Sequence, residues 1–261
     1  MKGVLGQTVA APQSYAPEIL ERIARPERSV IGCFGWDIWH CYELSWVVEG
    51  AVQDWVGVLA IPAESPATVE SKSLKLYLNS LNGHCFEHDE AAIALIERDV
   101  SACIGSTVRL SVLRPDGLAA ITDELQGVIL PPCPASVPPE TMAFTKSAIS
   151  PGKEKIVSQH LVSHSLRSLC PVTAQPDWAS LSIQYSGPEI DHDALSEYLS
   201  SFRTHQGFHE QCVEQIYADL MSLGPASLTV TGYYQRRGGI DITPWRSSEP
   251  LACNPQRLGR Q

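Results

Sequence analysis

The sequence predicts an α+β protein in which two related units each place their helices on one face of an antiparallel sheet. One observation behind this is a proline-rich segment, residues 131–140, which cannot form a helix or a central strand and divides the chain almost in half. The others are a nearly constant offset between matching residues of the two halves and a shared order of strand-like and helix-like patterns. We therefore expect an N-terminal extension over 1–34, a first unit over 35–130, a linker over 131–140 and a second unit over 141–261.

The internal repeat is clearest in the helical segments. Residues 69–81 align with 190–202 at an offset of 121, and the following helical pattern aligns at an offset of 120. A run of matching pairs in the same order indicates duplication of one supersecondary unit. The pairs include Leu74 and Leu195, Tyr77 and Tyr198, Leu78 and Leu199, Ser80 and Ser201, Glu90 and Glu210, and Asp99 and Asp219.

Each half is predicted to contain the same series of elements. A strand follows an Asp-Trp pair, and a short helix with a Leu-x-x-Tyr-Leu pattern comes next. A longer amphipathic helix and a closing strand complete the unit. The Asp-Trp pairs are Asp54-Trp55 and Asp177-Trp178, and the closing strands are predicted over 108–113 and 228–234. The apolar positions of the longer helices are Ile93, Ile96, Val100 and Ile104, and Val213, Ile216, Leu220 and Leu223.

Composition and charge narrow the function classes. The net charge is −10 and the isoelectric point is about 5.2, a balance that disfavours non-specific binding to nucleic acid or to an anionic membrane surface. Glu49 and Asp54 interrupt the most apolar stretch, and no continuous apolar run follows Lys2, so neither a transmembrane helix nor a secretory signal is predicted. We expect a cytoplasmic protein without a nucleic-acid or membrane partner.

The eight cysteines are scattered along the chain and form no Cys-x-x-Cys pair. Reduced thiols in a cytosolic protein are the plain interpretation. No metal site is predicted, because ligand pairs with short spacing are missing. Most of these cysteines are expected to serve only as packing residues.

Cys170 is the candidate nucleophile, and Asp177 follows it seven residues later. Pro171 and Pro176 exclude a helix between them, so a constrained loop can bring the thiol and the carboxyl group together. The sulfur could then add to the carbon of a carbon–nitrogen multiple bond while the acid delivers a proton to nitrogen. On spacing alone, an inert loop cysteine and a helix-capping aspartate are the simpler interpretation, and an ionised Asp177 would oppose thiolate formation.

Three further segments could bind a ligand. In Phe208-His209-Glu210, the carboxylate suits either the helix dipole or the N–H groups of a guanine-like edge. Arg236-Arg-Gly-Gly239 suits either a phosphate or a charged turn. The basic segment Ser71-Lys-Ser-Leu-Lys75 lies in the first half and Cys170 in the second, which suggests a site composed from both. A Rossmann nucleotide site is not indicated, because the chain has no Gly-x-Gly-x-x-Gly.

Several segments together resemble the NADPH-dependent 7-cyano-7-deazaguanine reductases. The most specific is Glu70-Ser-Lys-Ser-Leu-Lys-Leu-Tyr-Leu-Asn-Ser80, which is similar to the signature of that family. The others occur in the family's order from about residue 34 onward, in a layout that resembles the long, two-domain form. They are Trp36-Asp-Ile-Trp39, Tyr42-Glu-Leu-Ser-Trp46, Ser168-Leu-Cys-Pro-Val-Thr-Ala-Gln-Pro-Asp-Trp178, Ser201-Phe-Arg203, Phe208-His-Glu-Gln-Cys-Val-Glu214 and Arg236-Arg-Gly-Gly-Ile-Asp-Ile-Thr-Pro-Trp-Arg246.

The resemblance implies a tunnelling fold (T-fold) with two tandem antiparallel-sheet units, assembled as a homodimer. It implies reduction of the nitrile of 7-cyano-7-deazaguanine to a primary amine, on the route to queuosine in tRNA. Two NADPH would be consumed, and no metal or flavin would be needed.

The resemblance also implies roles for individual residues. Cys170 would form a covalent thioimide with the nitrile carbon, and Asp177 would be the proton donor. The residues expected to hold the deazaguanine are His209 and Glu210, with Val69, Glu70 and Ser71 contributing. The residues expected to contact NADPH are Ser71, Lys72, Arg237 and Gly238.

Two departures from the family pattern touch the cysteine loop. Leu169 stands where the family often has Asn, and Ala174 where it often has Gly. Three rival classes stay open from the residues alone. A metal-dependent purine or pterin enzyme, such as a cyclohydrolase, would bind stoichiometric zinc. A nitrile-hydrolysing enzyme using Cys, Glu and Lys would release ammonia without NADPH, and a duplicated binding protein would form no covalent adduct.

Overall fold

The computed structural model describes residues 10–26, 32–132 and 155–261. The linker predicted over 131–140 lies outside the described residues except for its first two positions. The strands of the described ranges are β1 (Arg22–Ala24), β2 (Phe34–Val48), β3 (Ala51–Pro62), β4 (Ala67–Val69), β5 (Cys85–Phe86), β6 (Arg109–Leu113), β7 (Thr122–Asp123), β8 (Val128–Ile129), β9 (Ile156–Leu169), β10 (Pro176–Pro188), β11 (Ser227–Tyr234), β12 (Ile240–Ser247) and β13 (Arg257–Leu258). The α-helices are α1 (Ser71–Asn79), α2 (Asp89–Ile104), α3 (His192–Ser201) and α4 (His209–Met221).

Nine strands of the described part of the chain form one sheet. Their order is β6-β3-β2-β12-β11-β10-β9-β8, with β5 beside β2. Neighbouring strands are antiparallel, except that β5 runs parallel to β2 and β8 runs parallel to β9. The four helices pack on one face of this sheet. The predicted α+β class, with antiparallel sheet and helices on one face, is therefore confirmed.

The strands of the two halves meet where β12 pairs with β2. The pairing runs from Ile240 opposite Cys41 to Ser247 opposite Phe34. Gly35 lies at the tightest point, because a Cβ atom there would be 2.1 Å from the carbonyl oxygen of Trp245. Only glycine allows the two backbones to approach this closely.

Two hydrophobic clusters lie between the sheet and the helices. Trp39 and Trp46 of β2 are buried against α1 and α2, and Leu181 and Ile183 of β10 are buried against α3 and α4. The aligned apolar pairs of the repeat are all buried, namely Leu74 and Leu195, Tyr77 and Tyr198, and Leu78 and Leu199. Among the helices of the described ranges, none combines the length and apolarity needed to cross a membrane.

The internal repeat recurs as the same hydrogen bond in each half. In the first half the Tyr77 hydroxyl of α1 donates to Asp99 Oδ2 of α2 over 2.8 Å. In the second half the Tyr198 hydroxyl of α3 donates to Asp219 Oδ2 of α4 over 2.5 Å. Each bond ties the short helix to the long one, which explains why these tyrosines and aspartates match at nearly the same offset.

The N-terminal segment packs against the first half. Strand β1 pairs antiparallel with β4, with Arg22 opposite Val69 and Ala24 opposite Ala67. Further upstream, the Tyr15 hydroxyl donates to Asp99 Oδ2 over 2.7 Å. This part of the predicted extension is therefore joined to β4 and to α2 by hydrogen bonds.

We expect Tyr77→Phe and Tyr198→Phe each to lower the free energy of unfolding by about 1–2 kcal/mol, because each removes a hydroxyl donor from a partly buried carboxylate. Equilibrium unfolding in urea would measure the loss. Tyr233→Phe is a matched control, since the Tyr233 hydroxyl has no hydrogen-bond partner within the described residues. A loss confined to one of the two variants would contradict the equivalence of the two hydrogen bonds.

Candidate active site

The loop that carries Cys170 stands in the place of a tight turn. In the first half, β2 and β3 pair as far as Val48 and Ala51, so that only two residues form the turn. In the second half, β9 and β10 pair only as far as Leu169 and Pro176, which leaves residues 170–175 outside the ladder. Pro171 has no N–H group to continue the ladder. The second hairpin therefore opens where the first one closes.

The loop has a defined backbone conformation. The Cys170 N–H donates to the Gln175 carbonyl over 2.8 Å, and the Ala174 N–H donates to the Cys170 carbonyl over 2.9 Å. Ala174 has a φ of 53°, a left-handed conformation that costs a non-glycine residue about 1–2 kcal/mol. This explains why glycine suits the position, and the loop keeps the conformation with alanine in it.

Cys170 faces a cavity between the two halves. Cys170 is 2 % exposed, and the cavity is narrow, with a volume of about 30 Å³. Of the residues predicted for the site, those on the cavity wall are Val69, Glu70, Ser71, Cys170, Asp177, His209, Glu210 and Arg237. Lys72 and Gly238 are not on the wall. No group of three or more His, Cys, Asp or Glu side chains in the described ranges is arranged to hold a metal ion.

The environment of Cys170 favours the thiolate. Burial by itself raises the pKa of the thiol, but the opposing contributions outweigh it and the pKa lies below its ordinary value. The Thr173 side chain and the backbone of Thr173 and Val172 lie close enough to the sulfur to stabilise its negative charge, and Arg237 adds a positive charge. The buried Thr173 hydroxyl has no hydrogen-bond partner among the described residues, so it can turn toward the sulfur.

Asp177 lies near the loop and is paired with two basic side chains. Its Oδ1 is 2.8 Å from Arg237 Nη1, and its Oδ2 is 3.2 Å from His209 Nε2. The Asp177 side chain is 4 % exposed, whereas that of Arg237 is 44 % exposed. The charge of Arg237 therefore offsets a carboxylate that would otherwise oppose thiolate formation at Cys170.

His209 is positioned by stacking. Its ring centroid is 3.9 Å from that of Tyr234, and the two ring planes differ by 6°. Both ring nitrogens are buried, and neither makes an aligned hydrogen bond within the described residues, although Nε2 is close to the Asp177 carboxylate. The contact with Asp177 is therefore electrostatic, and the imidazole keeps hydrogen-bonding capacity for a ligand in the cavity.

Glu210 is a buried carboxyl group at the start of α4. Burial raises its pKa, and the negative charge of Asp37 raises it further, while Arg25 and His209 act in the opposite direction. The Thr68 hydroxyl donates to Glu210 Oε1 over 3.4 Å, a long hydrogen bond. A ligand that donates N–H bonds to this carboxyl group would stabilise its ionised form.

Glu70 lies on the cavity wall and also caps helix α1. As the N-cap of α1 it accepts the Lys72 N–H at Oε1 and the Ser73 N–H at Oε2, each over 2.8 Å. The Ser71 hydroxyl also donates to Oε1, over 3.3 Å. These bonds hold the end of β4 and the start of α1 in one geometry, so Val69, Glu70 and Ser71 reach the cavity together.

A basic turn adjoins the cavity. Gly238, next to Arg237, has a φ of 63°, which favours glycine. A Cβ atom at Gly238 would lie 3.4 Å from Lys75 Cδ, so the turn approaches α1 closely. Lys72 begins the same helix. The turn and the helix thus bring the side chain of Lys75, from the predicted basic segment, beside Gly238.

Other contributors to the site were also missed from the sequence. Ile23 of β1 lies on the cavity wall, and Arg25 pairs with Asp37 just beyond it. They reach the site because the pairing of β1 with β4 places Ile23 opposite Thr68. No periodic pattern marks a three-residue strand, so the sequence carries no signal for this contact. Tyr234 belongs to a strand that was predicted, but its stacking on His209 was not.

Two family models match separate parts of the chain. The model described as nitrile reductase, 7-cyano-7-deazaguanine-reductase N-term, matches residues 12–112. The model described as QueF-like protein matches residues 176–252. The first match begins inside the predicted N-terminal extension and so includes β1, in agreement with the contacts that this strand makes.

Relatives are similar over nearly the whole chain, and three are named NADPH-dependent 7-cyano-7-deazaguanine reductase. The protein from Hydrogenovibrio crunogenus is 40 % identical over 270 residues, covering 100 % of this chain and 97 % of the relative. That from Chromobacterium violaceum is 43 % identical, covering 94 % and 91 %. That from Chromohalobacter salexigens is 41 % identical, covering 98 % and 96 %. The chain belongs to the 7-cyano-7-deazaguanine reductase family.

Proposed function

We propose that this protein is an oxidoreductase that reduces the nitrile of 7-cyano-7-deazaguanine to the amine of 7-aminomethyl-7-deazaguanine with NADPH, on the route to queuosine in tRNA. The names of the relatives support the substrate and the use of NADPH. The observation that carries the proposal is one cavity wall with Cys170, Asp177 and Glu210 on it. It combines a nucleophile, an acid and a carboxyl group suited to a guanine-like edge.

The first step is the addition of Cys170 to the nitrile. The sulfur forms a bond to the nitrile carbon, the carbon–nitrogen triple bond becomes a double bond, and nitrogen takes up one proton, which gives a covalent thioimide. The proton that leaves the thiol returns to nitrogen through Asp177. The lowered pKa of Cys170 supports the nucleophilic role, and the nearby position of Asp177 supports the acid role.

The deazaguanine is held by the carboxyl group of Glu210 and the imidazole of His209. Glu210 accepts N–H bonds from the base edge, and His209 supplies the hydrogen-bonding capacity that it does not use within the described residues. Val69, Glu70 and Ser71 close the opposite wall. Glu70 can serve the base with its remaining lone pairs, because its helix-capping bonds use only part of its acceptor capacity.

NADPH binds at the basic turn beside the cavity. Arg237 and Lys75 suit its phosphate groups, and Gly238 leaves space where a Cβ atom would meet Lys75. Ser71 and Lys72 at the start of α1 add further donors. When bound, NADPH supplies hydride, and two molecules account for the four electrons that separate a nitrile from an amine.

We also propose that each half is a tunnelling-fold unit and that two chains form a homodimer in the cytoplasm. The repeated helix pair with its Tyr–Asp hydrogen bond supports the first statement. The unit boundaries at 35–130 and 141–261 stay predictions. The homodimer stays a prediction as well, and the molar mass in solution would test it.

Incubation with 7-cyano-7-deazaguanine in the absence of NADPH is expected to give a covalent adduct, seen as a mass increase of the intact protein. Addition of NADPH should discharge the adduct, and Cys170→Ala should abolish it. Cys103→Ala is the matched control, because Cys103 is a half-buried thiol of α2 whose pKa is raised by burial. An adduct that survives in Cys170→Ala would overturn the assignment of the nucleophile.

Glu210→Gln is expected to weaken binding of 7-cyano-7-deazaguanine by about tenfold or more, because charge-assisted hydrogen bonds are lost. A Cys170→Ala background isolates this non-covalent step. With Glu210 intact, affinity should rise with pH and level off above the pKa that the Glu210 carboxyl group has in the free protein. The reason is that burial raises this pKa in the free protein, whereas N–H bonds from the base favour the carboxylate.

Titration calorimetry between about pH 5 and pH 8 would measure both effects. Glu90→Gln is the matched control, because Glu90 holds the aligned position in the first half and its side chain is 82 % exposed. Unchanged affinity in Glu210→Gln would remove Glu210 from base recognition. Affinity independent of pH with Glu210 intact would show that binding releases no proton from this group.

A further inference from the structure

Arg237 occupies a position that serves two different partners. The proposed function assigns it to the phosphates of NADPH, yet here its Nη1 is 2.8 Å from Asp177 Oδ1. The carboxylate is almost fully buried, whereas the guanidinium is nearly half exposed. An exposed cation that reaches inward to a buried carboxylate can turn outward more easily than a fully buried one, because its guanidinium stays in contact with solvent.

The turn that carries Arg237 is built to present it. The Arg237 N–H donates to the Ile240 carbonyl over 2.9 Å, and the two glycines that follow have positive φ values. The neighbouring Arg236 points elsewhere, with its guanidinium carbon 4.6 Å from the centre of the Tyr42 ring. Lys75 lies beside Gly238. An anion at this turn would therefore lie close to Lys75 and to the exposed side chain of Arg237.

We infer that Arg237 exchanges partners, holding Asp177 in the free protein and moving to a phosphate group of NADPH when that molecule binds. The inference rests on the proposed function and adds a positioning role to Arg237. After the exchange, Asp177 has lost its contact with Arg237 and keeps His209 as its basic neighbour. Binding of the reductant thereby releases the carboxyl group that is proposed to deliver protons to the nitrogen atom.

The other charged groups near Asp177 are compatible with this exchange. The titratable side chains that share the cavity wall with it are Glu70, Cys170, His209, Glu210 and Arg237. Cys212 of α4 and Tyr234 of β11 also lie close to Asp177. When Arg237 leaves, His209 stays as the basic group beside Asp177, at 3.2 Å. The remaining neighbours are acidic or neutral, so no other cation on the described cavity wall takes the place of Arg237.

Reciprocity gives a test that does not depend on catalysis. If phosphate binding removes Arg237 from Asp177, part of the binding free energy is spent on breaking that ion pair. Removal of the Asp177 charge must then strengthen phosphate binding by the free energy of the ion pair. The probe is adenosine 2′,5′-bisphosphate, which carries phosphate groups of NADPH and has no nicotinamide. Titration calorimetry would measure its affinity for the parent protein, Asp177→Asn, Arg237→Gln and the double variant, which together form a double-mutant cycle.

We expect Asp177→Asn to bind the probe about fivefold more tightly than the parent protein, the size expected for release of one partly exposed ion pair. In the Arg237→Gln background the same substitution should change the affinity by less than about twofold. Arg236→Gln is the matched control, because Arg236 stacks on Tyr42. In that background the gain from Asp177→Asn should be retained.

A second measurement follows Cys170 itself, through the rate of its alkylation by iodoacetamide as a function of pH. The probe should slow alkylation of the parent protein by about threefold at pH values below the midpoint of the rate–pH curve, because Arg237 no longer stabilises the thiolate. If the probe slowed alkylation equally in Arg237→Gln, the slowing would come from the charge of the bound phosphate, and the exchange would be overturned. An equal gain from Asp177→Asn with and without Arg237 would overturn it too. Failure of every variant to bind the probe would instead overturn the phosphate site on which the proposed function depends.

Discussion

Strand β12 pairs with β2 over eight positions and so joins the strands of both halves in one sheet. The cavity depends on this pairing, because β4 and α1 supply one wall from the first half and the Cys170 loop and α4 supply the other from the second half. Gly35 makes the close approach possible at one end of the pair. If β12 and β2 were to separate, Cys170 and Glu70 would no longer share a site.

Buried polar and charged side chains link the same pair of strands. Asp37 of β2 pairs with Arg246 of β12, with Oδ1 and Nη1 2.8 Å apart, and His40 Nδ1 lies 2.6 Å from Asp241 Oδ1. All four side chains are fully buried, and loss of one partner of a buried ion pair such as Asp37–Arg246 typically costs about 3–5 kcal/mol. Burial raises the pKa of Asp37, but Arg246 and Arg25 lower it below its ordinary value. The resulting negative charge raises the pKa of Glu210, so the strands that join the halves also influence the carboxyl group that is proposed to bind the base.

The duplicated scaffold separates stability from chemistry. The helix pairs keep the same hydrogen bond in both halves, since each must hold two helices on the sheet in the same way. The hairpin ends do not hold helices on the sheet. One ends in Glu49 and Gly50, both with positive φ, and the other opens into the loop of Cys170. A hairpin end can change in this way without disturbing the core, because its residues lie beyond the last buried pairs of the ladder.

Much of the fold could be predicted because its signals are local. Apolar periodicity marked the helices, and the prolines around Cys170 marked a loop that the structure contains. The contacts of Arg25, Lys75 and Tyr234 were missed for a different reason. Each arises from packing between segments far apart in the chain, so none leaves a pattern in the neighbouring residues.

The sequence by itself determined the class of fold, the internal repeat and the residues from which a site could be built. Only the tertiary structure decided that Arg237 pairs with Asp177, that His209 stacks on Tyr234 and that β1 reaches the cavity. Local patterns report which face of an element is buried, because that depends on the period of the helix or strand. The choice of neighbours across the cavity depends on which distant strands pair and in which register, and here that choice follows from the buried pairing of β12 with β2.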